Sequence, residues 1–236
     1  MDRAGDLRTD SAKLESLWES ARILEVGKGR IRSTIEGPTF LTSDKAVGGE
    51  RYFLGIDRST DTAYFAWASG YVDSEVEDYL TLRELSGALS PLDLEISMHA
   101  IALSNWHDAH PYCPRCGAPT RVDLAGAARK CDVDQTQHHP RTDPAVIVLI
   151  KDRADRILLG HQPVWPDGRF STFAGFLEPG ETFEQCVARE VYEEAGVRLS
   201  EISYLGSQPW PFPASVMIAF SAVTDAPDDA RPDGDE

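Results

Sequence analysis

Three glutamates in the C-terminal half of the chain have a spacing that suits metal chemistry. Glu190, Glu193 and Glu194 stand at positions i, i+3 and i+4, which places three carboxylates on one face of a helix. Like charges at such spacings oppose each other by roughly 0.2–0.5 kcal/mol per pair, whereas a divalent cation reverses the sign. The pattern therefore predicts a Mg²⁺-binding helix face, with a solvated acidic face as the alternative.

The flanking residues predict the helix that carries these glutamates. Thr182 and Gln185 have the spacing of a capping box, so the helix begins at about Phe183. Gly196 suits the position directly after a helix end. We expect the helix to bury an apolar side formed by Val187, Val191 and Ala195.

Strand patterns surround this helix. Five segments read as strands: residues 145–150, 156–160, 170–176, 202–207 and 215–223. Nearer the N-terminus, the strands that begin at Tyr52 and Ala63 predict a hairpin. Ser90 and Pro91 suit the start of a helix that runs to about Asp108. Strands mixed with helices indicate an α/β or α+β fold.

Composition excludes several classes of protein. The chain has 236 residues, a net charge of −16 and no apolar run long enough to span a bilayer. Proteins that bind nucleic acid through its phosphates carry a basic face, and none is evident here. The charged N-terminus has no secretory signal, which predicts a cytoplasmic protein. An acidic enzyme with a phosphate substrate needs cations at its site, and metal ions supply them.

The glutamate helix resembles the signature of a known family. It matches the Nudix box, G-x5-E-x7-R-E-U-x-E-E-x-G-U with U aliphatic, at nine fixed positions: Gly175, Glu181, Arg189, Glu190, Val191, Glu193, Glu194, Gly196 and Val197. The resemblance to Nudix hydrolases implies that Glu190, Glu193 and Glu194 bind Mg²⁺ or Mn²⁺, with the carbonyl of Ala174 as a further ligand. It also implies that Glu181 pairs with Arg189 and fixes a loop to the helix.

A second motif, SQPWPFPAS at residues 207–215, points to one branch of this family. Its three prolines exclude a regular helix or a central strand, which predicts a rigid surface loop. The motif resembles the one that marks NADH pyrophosphatases. By that resemblance the dinucleotide site includes Gln208, Pro209, Trp210, Pro211, Phe212, Pro213, Ala214 and Ser215. Phe176 would stack on a base, and His139 occupies the position of a stacking tyrosine in the family.

The cysteines form a third motif. A C-x-x-C pair in a chain without a secretory signal indicates metal or redox chemistry. NADH pyrophosphatases carry a four-cysteine zinc ribbon before the Nudix domain, and Cys113, Cys116 and Cys131 match three of its ligands. Asp134 stands at the fourth position. Asp134, His138 or His139 could complete a zinc site, and the alternative is a ribbon that has lost its metal.

These resemblances predict an architecture of three parts. We expect an N-terminal α+β domain at residues 1–110, a zinc ribbon at residues 111–140 and a Nudix α/β/α sandwich at residues 141–236. Family members continue beyond the acidic segment in which this chain stops. We therefore expect a partial sequence whose C-terminal part, with a further metal-binding glutamate, is missing.

The leading functional hypothesis is hydrolysis of NADH or NAD⁺ to nicotinamide mononucleotide and AMP, with NAD-capped RNA as a related substrate. A nucleotide-binding module without turnover is the alternative, and a zinc-ribbon nucleic-acid binder is opposed by the acidic charge. The family resemblance also implies a homodimer.

Overall fold

The computed structural model describes residues 1–72, 78–85 and 87–231, so residues 232–236 of the expected Nudix domain lie outside the described residues. The chain divides into two compact units. The first contains Met1–Arg141 together with Pro211–Ala214, and the second contains Thr142–Trp210 and Ser215–Glu236.

A sheet with a helix on each face forms most of the first unit. Its helices are α1 (Ser11–Ser20) and α2 (Pro91–Ala109). Its strands are β1 (Arg22–Gly27), β2 (Arg30–Thr34), β3 (Gly37–Pro38), β4 (Glu50–Asp57), β5 (Thr62–Ala68) and β6 (Tyr79–Thr81). The order is β3-β2-β1-β5-β4, with β6 beside β2. The expected hairpin is confirmed by antiparallel β4 and β5, whereas α1, β1, β2, β3 and β6 were not predicted from the sequence.

Helix α2 confirms the prediction made from its first residues. The Ser90 side chain accepts a hydrogen bond from the backbone N–H of Asp93 (3.1 Å), and Pro91 occupies the first turn. The helix buries Ile96, Ala100 and Ile101 against the sheet. Burial of three such side chains stabilises this face of the sheet by several kcal/mol, at about 25 cal/mol per Å² of apolar surface.

The cysteine segment, residues 111–140, is the last part of the first unit before residue 141 and forms a small antiparallel sheet. Its strands are β7 (Thr120–Asp123), β8 (Ala128–Cys131) and β9 (Gln137–His138). This sheet is too small to build a core of its own, which is the situation in which a metal ion stabilises a fold.

The second unit is a mixed sheet with one helix. Its elements are β10 (Asp143–Lys151), β11 (Ile157–Leu158), β12 (Phe173–Phe176), α3 (Phe183–Ala195), β13 (Ser200–Trp210) and β14 (Ser215–Val223). The strand order is β11-β10-β14-β13, with β12 paired to β10. β10 and β14 are parallel, and the other pairs are antiparallel. All five expected strands are present, so the α/β class is confirmed.

Helix α3 packs on one face of this sheet. The predicted apolar side of Val187, Val191 and Ala195 is fully or almost fully buried. It contacts side chains of β10 and β14, including Val148 and Phe220. Among the described residues of this unit, α3 is the single α-helix, so the second helical layer of the expected sandwich is not found there.

No helix in the described part of the chain combines the length and the apolar character that crossing a membrane requires.

Candidate active site and metal centre

The start and the end of α3 are fixed by the residues that predicted them. The Thr182 hydroxyl accepts from the N–H of Gln185 (3.2 Å), and the Gln185 side chain accepts from the N–H of Thr182 (2.8 Å). Gly196 follows the helix at φ +71°, a conformation that glycine adopts without strain. The capping box and the glycine end are both confirmed, and they set which residues of α3 face the sheet.

Arg189 joins the helix to the loop before it. Its Nε and Nη2 donate to the two carboxylate oxygens of Glu181 at 2.6 and 2.9 Å, a bidentate pair. Nη2 also donates to the carbonyl oxygen of Phe176 (3.1 Å). Glu181 in turn accepts from the N–H of Glu178 (3.0 Å). One guanidinium therefore ties the end of β12, the loop and α3 together.

The same guanidinium lies between two of the glutamates on the helix face. Arg189 Nη1 donates to Glu190 Oε1 (2.9 Å) and to Glu193 Oε2 (3.0 Å). Hydrogen bonds from Arg189, followed by the N–H of Glu178, lower the pKa of Glu181 to about 2. Hydrogen bonds to Glu181 likewise raise the pKa of Arg189, against the opposing effect of burial. The pair is therefore fully charged at neutral pH.

Gly175 lies directly under the first of these carboxylates. It pairs with Val146 across β10 and β12. A Cβ atom built on Gly175 would overlap the carboxyl carbon and both oxygens of Glu190. Because Gly175 has no side chain, the Glu190 carboxylate can lie against the backbone of β12, beside Ala174.

The three glutamates differ in exposure. The Glu190 side chain is 14% exposed and that of Glu193 is 57% exposed, while Glu194 is intermediate. In the described residues, the one group of three or more His, Cys, Asp or Glu side chains with ligand atoms within 4.8 Å of one another lies in the cysteine segment. Chelation of one cation by all three glutamates therefore requires their side chains to rotate from these positions.

The first half of the proline-rich motif is strand, which differs from the loop expected. Residues 207–210 continue β13, with Gln208 opposite Met217 and Pro209 opposite Val216. β13 is an edge strand, where a proline removes no ladder hydrogen bond from a neighbour. Gln208, Pro209 and Trp210 are exposed, the last by 37%. Phe176 is 60% exposed.

The second half of the motif belongs to the first unit. Phe212 packs against the core formed by α2 and the sheet, and the Arg83 guanidinium carbon lies 5.0 Å from its ring centre. Pro211 is buried, Ala214 is half-buried and Pro213 is exposed, while Ser215, which begins β14 of the second unit, is buried. The Phe212 ring is therefore engaged in packing, which the motif alone did not indicate.

His139 is exposed in the first unit. It lines a cavity of about 280 Å³ together with Trp106, His110 and Tyr112. The position has aromatic neighbours even though it lacks the family's tyrosine.

The cysteine segment brings four ligand groups together. Ligand atoms of Cys113, Cys116, Cys131 and Asp134 all lie within 4.8 Å of one another. The Sγ atoms of Cys116 and Cys131 are 3.5 Å apart, and Cys113 Sγ is 3.6 Å from Asp134 Oδ2. Ligands of tetrahedral zinc, with Zn–S about 2.3 Å, stand about 3.8 Å apart. The donor set and its spacing fit zinc.

A backbone hydrogen bond keeps the Asp134 side chain in the carboxylate form that a zinc ligand requires. Its Oδ1 accepts from the N–H of Thr136 (2.9 Å), and this bond contributes most to lowering the pKa of Asp134. The carboxylate is therefore anionic, with Oδ2 turned toward Cys113. His138 and His139, the other two candidates for the fourth ligand, lie outside this group.

The second half of the motif is held by residues that were not predicted from the sequence. Asn105 Nδ2 donates to the carbonyl oxygens of Pro211 (3.4 Å) and Pro213 (3.3 Å). No motif marks Asn105 or Arg83. A faint signal is that asparagine is a poor helix former and yet occupies the interior of α2.

Comparison with known proteins agrees with this geometry. The profile of the NUDIX domain matches residues 141–236, and that of the NADH pyrophosphatase zinc ribbon domain matches residues 108–139. A protein of Mycobacterium bovis (strain BCG / Pasteur 1173P2) named NAD-capped RNA hydrolase NudC is 38% identical, over 95% of this chain and 74% of that protein. The protein of the same name from Chromobacterium violaceum is 36% identical, over 78% of this chain and 68% of its own length.

The chain belongs to the Nudix hydrolase family. It is a hydrolase of phosphorus anhydrides, and it carries the zinc ribbon domain of NADH pyrophosphatases before its Nudix domain. Among solved structures, a Nudix hydrolase from Nitrosomonas europaea is similar at 26% identity and a TM-score of 0.45, over 53% of this chain and 73% of that one. In a Nudix hydrolase, the carboxylate face of α3 is the candidate active site.

Proposed function

We propose that this Nudix hydrolase cleaves the diphosphate bond of NADH and NAD⁺, and that nicotinamide mononucleotide and AMP are the products. The observation that carries the proposal is the carboxylate face of α3, organised by the bidentate pair of Arg189 with Glu181. The names of the mycobacterial and Chromobacterium relatives support NAD-capped RNA as a second substrate, because the same bond is cut.

Four groups would hold the divalent cations, which we take to be Mg²⁺ or Mn²⁺. They are the carboxylates of Glu190, Glu193 and Glu194 and the carbonyl oxygen of Ala174. Carboxylate and carbonyl oxygens are the ligands that these hard cations prefer. When bound, such cations supply neutralisation of the diphosphate charge and polarisation of the phosphoryl group.

The protein's own residues prepare that chemistry. Arg189 holds Glu190 and Glu193 in place, and Glu181 anchors Arg189 in turn. Gly175 leaves room for the Glu190 carboxylate against β12. The energetic gain is partial preorganisation, because the end of β12, the loop and α3 are already joined and only the glutamate side chains have to rotate when metal and substrate bind.

The substrate's rings need apolar surfaces. Phe176 and Trp210 are exposed aromatic side chains of the second unit, and stacking on such rings contributes about 1–3 kcal/mol per base. We propose that these two residues, with Gln208 and Pro209 beside Trp210, contact the dinucleotide. In the first unit, we propose that His139 contributes to substrate binding. For residues 211–215 we propose a part in shaping this site.

The direct test is product analysis. The purified protein is incubated with NADH and with NAD-capped RNA, with Mg²⁺ or Mn²⁺ and with chelator, and the products are separated by chromatography. We expect equal amounts of AMP and the reduced mononucleotide from NADH, and none with chelator. Saturable NAD⁺ binding without product would instead support a nucleotide-binding module.

Zinc binding by the ribbon is tested independently of activity. We propose that Cys113, Cys116, Cys131 and Asp134 hold one structural Zn²⁺. Elemental analysis of protein purified without added metal should give about one zinc per chain, because the four ligands match a tetrahedral site. Asp134→Ala should lose most of this zinc, whereas His138→Ala should retain it. A folded protein without zinc would contradict the site, and zinc loss in His138→Ala alone would move the fourth ligand.

The homodimer and the cytoplasmic location stay predictions from the sequence. Light scattering and cell fractionation test them.

A further inference from the structure

The segment Pro211–Ala214 offers few groups by which a protein can hold it. Pro211 and Pro213 have no backbone N–H, so their carbonyl oxygens are the only backbone groups through which these two residues can form hydrogen bonds. Asn105 supplies the donor for both, since its Nδ2 lies 3.4 Å from the Pro211 oxygen and 3.3 Å from the Pro213 oxygen. A carboxamide group carries two N–H donors, which matches two acceptors. One side chain therefore holds the backbone on both sides of Phe212.

The Phe212 side chain is held as well. Its ring packs against the core that α2 forms with the sheet. The guanidinium of Arg83 lies over the ring, with its central carbon 5.0 Å from the ring centre. A planar guanidinium stacks on an aromatic face better than an ammonium does. All of these groups belong to the first unit, as do residues 211–214 themselves.

We propose that Asn105 and Arg83 are positioning residues that set substrate affinity by fixing the segment directly after Trp210. The proposal rests on the proposed function, in which Trp210 contacts the dinucleotide. Trp210 ends β13 and is bonded to Pro211, so an anchored Pro211 narrows the positions that the indole ring can occupy. Affinity for a ligand rises when the groups that bind it are already ordered.

The sharpest test is Asn105→Asp. Aspartate has nearly the same shape, but it replaces both donors with an anionic oxygen that opposes the two carbonyl oxygens. We expect KM for NADH and Kd for NAD⁺ to rise about tenfold, the order of magnitude that two lost neutral hydrogen bonds produce. We expect kcat to stay within about threefold of wild type, because the α3 carboxylates are untouched. Kinetics give KM and kcat, and calorimetry gives Kd.

The split between KM and kcat separates positioning from general damage. A merely structural role would lower the active fraction, and with it kcat, while leaving KM unchanged. Asp108→Asn is the matched control, because it exchanges the same two residue types at an exposed position of the same helix. We expect wild-type KM and kcat from it. Arg83→Lys keeps the charge and loses the planar stack, and should raise KM by about threefold.

The outcomes of these measurements separate failure of the proposed function from failure of the anchoring inference. If wild type neither hydrolyses NADH nor binds NAD⁺, the proposed function fails. If wild type hydrolyses NADH and Asn105→Asp leaves both KM and Kd unchanged, the anchoring inference alone is wrong. Circular dichroism establishes whether the variants fold. Should Asn105→Asp be unfolded, Arg83→Gln decides instead, and an unchanged KM in that variant overturns the inference.

Discussion

Glu194→Gln should lower kcat for NADH hydrolysis by on the order of 10²-fold or more. The substitution keeps the size of the side chain and removes a negative charge from the proposed metal face of α3. Glutamine holds a divalent cation more weakly than a carboxylate does, so the substrate's charge is neutralised less completely in the transition state. Steady-state kinetics at saturating Mg²⁺ or Mn²⁺ measure the loss.

Glu184→Gln is the matched control for this change. Glu184 lies in the first turn of the same helix, is exposed and stands at a variable position of the Nudix box. It should retain wild-type kcat, although loss of an acidic group near the helix start costs about 0.3–1 kcal/mol of helix stability. Equal rates in Glu194→Gln and wild type would remove Glu194 from the metal site.

The sequence predicted the elements whose signals are local. The ends of α3 depend on Thr182, Gln185 and Gly196, which act on backbone groups within one helical turn. The strands of the second unit have apolar runs between turn residues, so their positions were also predicted. β11 is shorter than expected, and β13 is longer because an edge strand accepts Pro209.

Features that depend on distant contacts were not predictable in this way. Asn105 and Pro211 are 106 positions apart in sequence, and no pattern in either segment indicates their hydrogen bond. The family resemblance implied a place for Phe212 in the dinucleotide site, and nothing in the motif indicated that its ring packs in the first unit. Its contact with Arg83 exists only once the first unit is folded.

In the metal sites, too, the sequence predicted some features and the structure was needed for others. The spacing of Cys113, Cys116 and Cys131 was sufficient to predict a zinc ribbon. Sequence left three candidates for the fourth ligand, and in the structure the ligand atoms of Asp134, unlike those of His138 and His139, lie within 4.8 Å of those of the three cysteines. Similarly, the Nudix box marks Gly175 as a fixed position, and the structure adds the physical reason.

Gly175→Ala should lower kcat by on the order of 10²-fold while leaving the fold intact. Gly175 is in a strand, and its φ lies outside the left-handed region that disfavours alanine. The backbone therefore tolerates a methyl group. The added Cβ would overlap the Glu190 carboxyl group, which is the far end of a flexible side chain and moves away at little cost.

The cost falls on catalysis, because misplacement of a catalytic group by about 1 Å can reduce a rate by about 10²-fold. Thermal denaturation should show a melting temperature within a few degrees of wild type, whereas Mn²⁺ affinity and kcat both fall.

A double-mutant cycle with Glu190→Gln makes the test specific. If Gly175 acts by leaving room for the Glu190 carboxylate, then Gly175→Ala adds little to the loss already caused by Glu190→Gln. Full additivity of the two losses would show that Gly175 serves the site by another route, and an unchanged kcat in Gly175→Ala would mean that the position of Glu190 against β12 does not matter for turnover.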